Sequence, residues 1–260
     1  MWYDSCANLP SRDTFEFVRL FDIERFRNWN KERLGGDLVE KRNACTAYLI
    51  DMFGCRPGYP PVGEYEETGM CDLKVENIRV QNGNRLDLNF VGIHNVPTTL
   101  LAKEIDEDFG KVFEKLIEIA VEHGRYQGTD PDKQTVFNQW NVFYDYLFSF
   151  NRSLTPRTFR LFHASRIVEQ SLQKSEDRVV RGDNVLGRRI LNEAVEKAAG
   201  FLNHRTIEYT RIMYVDPRII AVWLKKHGLP MDMLEKPFKW AVDEIEAAQK
   251  PFKFEKIEEQ

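Results

Sequence analysis

A chain of 260 residues, 42% hydrophobic and 12% aromatic, can bury one sizeable core or two small ones, which excludes a disordered or low-complexity polymer. Its 37 Lys and Arg against 41 Asp and Glu leave a net charge of -4 and a pI near 5.8, so the whole molecule offers phosphates no basic excess. No apolar run approaches the ~20 residues of a membrane helix, and the start already carries Asp4, Asp13 and Glu16, which argues against a membrane span, a secretory signal or an Arg-rich transit peptide.

In chain order, residues 33–53 read as a helix with Leu38, Val39, Ala44, Tyr48, Leu49 and Met52 on its apolar side. The stretch 54–63, Gly-Cys-Arg-Pro-Gly-Tyr-Pro-Pro-Val-Gly, must be irregular, because its prolines lack backbone donors. A strand over 71–80, a turn at Asn82-Gly83-Asn84 and a second strand over 85–92 form a hairpin. From 106 onward the period is helical, giving 109–122, 132–149, 156–173, 184–202 and 217–227. The last has Asp216 at its N-cap, Pro217 at its first position, Lys225 and Lys226 in its final turn and Gly228 beyond. The expected fold is mainly α with a small antiparallel β-sheet, one domain over 1–245 with its sheet-bearing front at 40–105, and a charged tail over 246–260. Composition also allows a division near 130.

The cysteines, Cys6, Cys45, Cys55 and Cys71, have neither zinc spacing nor a dense disulfide pattern, so reduced thiols in a reducing intracellular compartment are expected, with no metal and no cofactor. Residues 157–189 carry a local basic excess: Arg157, Arg160, Arg166, Lys174, Arg178, Arg181, Arg188 and Arg189 outnumber Glu169, Glu176, Asp177 and Asp183. A solvated helix face and a phosphate-facing groove explain that excess equally well.

Four segments, in order, carry a resemblance. They are 42–58 (Arg-Asn-Ala-Cys-Thr-Ala-Tyr-Leu-Ile-Asp-Met-Phe-Gly-Cys-Arg-Pro-Gly); the hairpin pieces 69–78 and 88–92; 158–165 (Thr-Phe-Arg-Leu-Phe-His-Ala-Ser); and Asn203-His204 with 214–226 (Tyr-Val-Asp-Pro-Arg-Ile-Ile-Ala-Val-Trp-Leu-Lys-Lys). Together, over roughly 20–245, they resemble core subdomain III and the C-terminal catalytic part of eukaryotic type IB DNA topoisomerases. The resemblance implies that Tyr214 attacks a DNA phosphodiester to form a 3'-phosphotyrosyl link, while Arg56, Arg160 and His204 hold the nonbridging oxygens. Each residue alone has a plainer reading: Tyr214 as a helix-edge core tyrosine with Tyr209 close by, Arg56 as a surface arginine, Arg160 as an apolar-surface filler, His204 as a partner of a helix dipole.

The sequence also departs from that pattern. Where the family places a lysine that protonates the leaving oxygen stands Ile93, and losing such an acid costs roughly 100- to 10,000-fold. His94 follows it, and Lys103 is a more distant candidate replacement. Pro57, Tyr59, Pro60 and Pro61 replace a more polar stretch, and Met213 precedes the tyrosine in place of a polar residue. Nothing before residue 20 forms the family's amino-terminal cap, and nine residues join His204 to Tyr214 where the family has a long linker. The favoured reading is a catalytically impaired scaffold or nucleic-acid-binding subunit, a pseudoenzyme, of a larger assembly in the nucleus or mitochondrion. It has protein partners and binds DNA by resemblance, with RNA and a ribonucleoprotein setting as the variant. The alternatives are an active type IB enzyme, or one subunit of a split one, and a tyrosine recombinase.

Overall fold

The computed structural model describes residues 9–58, 68–92, 96–234 and 238–247. These form ten α-helices and a three-stranded antiparallel sheet, the mainly helical class expected. They group into two compact units: Asp22–Phe159, and a second assembled from Met1–Phe21 and Arg160–Gln260. The break falls inside one helix, between Phe159 and Arg160, not near 130.

In the first unit, helix α2 (Ile23–Glu32) starts where the Asp22 carboxylate accepts from the Arg25 N–H at 2.9 Å. Helix α3 (Leu38–Phe53) starts later than the apolar period suggested. Its capping box, Glu40 N–H to Asp37 at 2.9 Å and Asp37 N–H to Glu40 at 3.2 Å, sets the boundary. Residues Arg33–Gly35 make a separate 3-10 turn. Buried Asn30 ties α2 to α3 through the Ala44 carbonyl (3.0 Å) and to α5 (Trp140–Phe150) by accepting from the Tyr146 hydroxyl (2.6 Å).

The strand expected over 71–80 shrinks to β1 (Ile78–Gln81), preceded by 3-10 turns at Met70–Asp72 and Val75–Asn77. The apolar residues Leu73, Val75, Ile78 and Val80 step by two, three and two, and the odd step coincides with the second turn. Strand β2 (Arg85–Gly92) is as expected, joined to β1 by a turn in which Asn82 and Gly83 are left-handed at φ 53° and 69°. Beyond it, β3 (Val96–Glu104) completes the order β1-β2-β3. This strand escapes periodicity because it is an edge strand, largely exposed, with Pro97 in it. The helix expected over 132–149 begins only at Trp140, because Val75 and Val136 N–H groups bond across to Gln134 and Leu73 carbonyls, at 3.0 and 2.9 Å, holding that stretch extended. Helix α4 (Glu107–Gln127) is longer than its apolar stripe predicted.

In the second unit, α1 (Arg12–Arg19), most of α6 (Pro156–Lys174), α7 (Asn184–Phe201), α8 (Ile207–Tyr214), α9 (Pro217–His227) and α10 (Lys239–Ala247) enclose one apolar core. It takes Phe15 and Val18 from α1, Leu161 and Val168 from α6, and Ile220 and Leu224 from α9. No helix among the described residues is long and apolar enough to cross a membrane.

Candidate active site

Tyr214 closes α8, where the chain leaves the helix: Val215 is extended, and Asp216 caps α9 by accepting from the Arg218 N–H at 2.9 Å. The guanidinium of Arg218 folds back onto the same carboxylate, with Nη2 at 2.7 Å and Nε at 3.1 Å, and donates from Nη1 to Glu16 of α1 at 2.8 Å. Ser165 of α6 locks the turn from beneath: its hydroxyl donates to the Tyr214 carbonyl at 3.4 Å and accepts from the Asp216 N–H at 3.0 Å. The Val-Asp-Pro-Arg run is therefore a socket that fixes where Tyr214 points. Within it Tyr214 is 1% exposed.

Two further expected residues meet that ring. Arg160 on α6 is buried, with Cζ 5.1 Å from the Tyr214 ring centroid, inside the range of a cation–π contact. Its Nη2 lies 2.7 Å from His204 Nε2 and 3.5 Å from the Leu202 carbonyl. His204 is brought there by the end of α7: Asn203 turns left-handed (φ 52°), and the His204 N–H donates to the Ala199 carbonyl at 2.9 Å. The imidazole then sits 4.8 Å from the Tyr214 ring and 5.1 Å from that of Tyr209, centroid to centroid, with Nδ1 2.9 Å from Thr210 Oγ1. A buried guanidinium and an imidazole against one phenol supply fixed donors of the kind that stabilise charge developing on a phosphoryl group.

Arg56 belongs to the other unit. It lies half-buried just past α3, its carbonyl accepting from the Met70 N–H at 2.9 Å and the next carbonyl, Pro57, from the Cys71 N–H at 2.7 Å. Ile93, His94, Tyr59, Pro60 and Pro61 lie outside the described residues. Lys103 pairs with Leu86, six residues along β2 from Gly92, which is roughly 20 Å at the rise of a strand. The basic stretch is not one face either, since Arg160 is internal and Arg178 is paired with Glu193 at 3.0 Å. Sequence reasoning missed Thr210, and it quoted Ser165 and Arg218 without a role. A hydroxyl six residues after a histidine carries no signal until the chain folds.

The family described as eukaryotic DNA topoisomerase I, catalytic core, matches residues 15–212. The chain belongs to that family. The match takes in Arg56, Arg160 and His204 and ends just short of Tyr214. The DNA topoisomerase 1 of Candidozyma auris is 24% identical over an alignment that covers 98% of this chain and 33% of that protein. The topoisomerase I-family chain thus spans about one third of the length of that relative.

Proposed function

We propose that this topoisomerase I-family chain grips a nucleic-acid phosphodiester with Arg160 and His204 and is impaired in cutting it. The observation that carries this reading is the 2.7 Å contact between Arg160 Nη2 and His204 Nε2. A guanidinium only donates, so Nε2 is spent as its acceptor and presents no hydrogen to a phosphate oxygen. Gripping a phosphate would have to open this pair, and cleavage would further have to uncover a tyrosine that is 1% exposed and proceed with Ile93 where a general acid is needed. The last defect alone is worth roughly 100- to 10,000-fold. In this reading residues 1–245 form the binding domain, 246–260 are a charged tail, and the chain works with other protein subunits in the nucleus or mitochondrion.

A second reading, an active strand-cleaving enzyme or one half of a split one, draws support from the packing of Arg160, His204 and Tyr214 into one cluster. Plasmid relaxation by the purified chain separates the two. Relaxation no faster than that of Tyr214→Phe, with duplex binding weakened about tenfold by Arg160→Ala, is the expected result. Robust relaxation abolished by Tyr214→Phe would overturn the impaired reading. Competition between DNA and RNA duplexes decides the ligand, with DNA expected to win.

A further inference from the structure

Thr210 is wholly buried, and its hydroxyl has one hydrogen and two lone pairs. The hydrogen is used one turn back, where Oγ1 donates to the Thr206 carbonyl at 3.1 Å. Toward His204 Nδ1, 2.9 Å away, the same oxygen can only accept. Nδ1 therefore carries the ring hydrogen. On the far side of the ring Arg160 donates to Nε2, which demands the same tautomer independently.

A phosphodiester oxygen offers lone pairs and nothing else, so Nε2 must gain a hydrogen before it can bond one. The hydrogen on Nδ1 is held by Thr210, which leaves solvent as the source. We propose that Thr210 is a positioning residue that fixes the His204 hydrogen at Nδ1 and thereby makes phosphodiester binding take up one proton at Nε2. This rests on the phosphate-gripping reading above. The proton passes from water to Nε2, the imidazolium faces the phosphodiester monoanion, and Arg160 Nη2, released from Nε2, turns to the other nonbridging oxygen.

Among the described residues, the groups that face His204 include Arg160 from α6 and Tyr209, Thr210 and Tyr214 from α8. Among these types the imidazole is the one whose ordinary titration falls near pH 6.5. The bound anion raises its affinity for a proton. Binding is thus full below the free-state value and falls, by up to about tenfold per pH unit, as pH rises through the bound-state value.

The test is anisotropy of a labelled DNA duplex with the full chain, at fixed salt, from about pH 6 to 8. Wild type should lose affinity with a slope near one decade per pH unit. Thr210→Val should flatten that slope to about threefold or less across the range, because once Arg160 has turned from Nε2 to the phosphate the Thr210 hydroxyl no longer holds the hydrogen at Nδ1 and it can move to Nε2, and Thr210→Ser should restore it. Nitrogen NMR of the ring in the unliganded wild type should place the hydrogen on Nδ1, which keeps the test valid even if the valine variant fails to fold. An Nε2–H tautomer, a flat slope in wild type or an unchanged slope in Thr210→Val overturns this inference. Binding indifferent to Arg160→Ala overturns the phosphate-gripping reading instead.

Discussion

Arg218 is among the largest side chains in the molecule that are fully buried, at 1% exposure beside Asp216, also at 1%. Burial opposes its charge, yet the bonds to Asp216, then Glu16 and Glu244, hold its pKa above the ordinary arginine value. At Asp216 burial wins in the other sense and pushes the carboxyl up, against Arg218. Because a guanidinium does not deprotonate in proteins and contacts this carboxylate through two nitrogens, the pair is ionised. Arg218→Leu strands a buried carboxylate, and should cost about 3–5 kcal/mol in urea unfolding. Adding Asp216→Asn should recover part of that loss; a double variant no better than the single one would contradict the ion-pair account. Glu16 is held down to about 2, first by its bond to Arg19 and, with burial opposing, by Arg218. A lowered carboxylate pKa means stability that is present above the ordinary value of 4.5 and lost as pH falls through about 2. With its side chain 39% exposed, Glu16 contributes weakly and in a salt-sensitive way. The sequence showed Val-Asp-Pro-Arg as a signature beside Tyr214. That its arginine also reaches Glu16 and Glu244 was visible only in the folded chain.

Among elements, the loop bearing Arg56 shows how a site residue is held by its neighbours in the fold. Gly58 sits at φ 91°, and a Cβ there would stand 1.9 Å from Asp72 Oδ2, while one on Gly69 would stand 2.0 Å from the Gly58 nitrogen. Two backbones press together here, which only glycine allows. Gly69→Ala should therefore cost about 1–3 kcal/mol, and an unchanged unfolding midpoint would show that the contact yields. Asp72 accepts from the Gly69 N–H at 3.2 Å, and burial pushes its carboxyl up to about 6. A raised acid pKa means that the folded state prefers the protonated form. Its stabilising effect is complete below 3.8 and lost as pH rises through about 6. Asp72→Asn should then stabilise by about 1 kcal/mol near pH 8, after discounting for partial exposure, and by nothing near pH 4. The sequence expected this stretch to be irregular, from its prolines and glycines, and placed α9 correctly, because caps, proline and glycine are local signals. It misplaced the start of α5 and lengthened β1, because there the deciding hydrogen bonds, Val136 to Leu73 and Val75 to Gln134, join residues about sixty positions apart.

For the whole molecule, the instructive feature is that the unit holding Arg160, His204 and Tyr214 recruits the chain's first helix. Phe15 and Val18 of α1 are buried in that unit's core, and Glu16 reaches Arg218 across 202 positions of sequence. No periodicity argument predicts such a closure, since α1 is a short helix whose partner face is built from residues far along the chain. The contact gives α1 a physical role: it completes the core and one wall of the Arg218 socket that orients Tyr214. Phe15→Ala removes a fully buried ring packed 6.4 Å from Trp240, and should cost about 3–5 kcal/mol. Fluorescence reports it directly, because Trp223 and Trp240 lie in this unit while Trp29 and Trp140 lie in the other. The expected result is an earlier denaturant midpoint in the signal from Trp223 and Trp240, isolated by replacing the other three tryptophans, Trp2, Trp29 and Trp140, with phenylalanine. A midpoint within about 0.5 kcal/mol of the parent, the scale of an ordinary surface substitution, would mean that α1 is dispensable and that the socket stands on Asp216 and Glu244 alone.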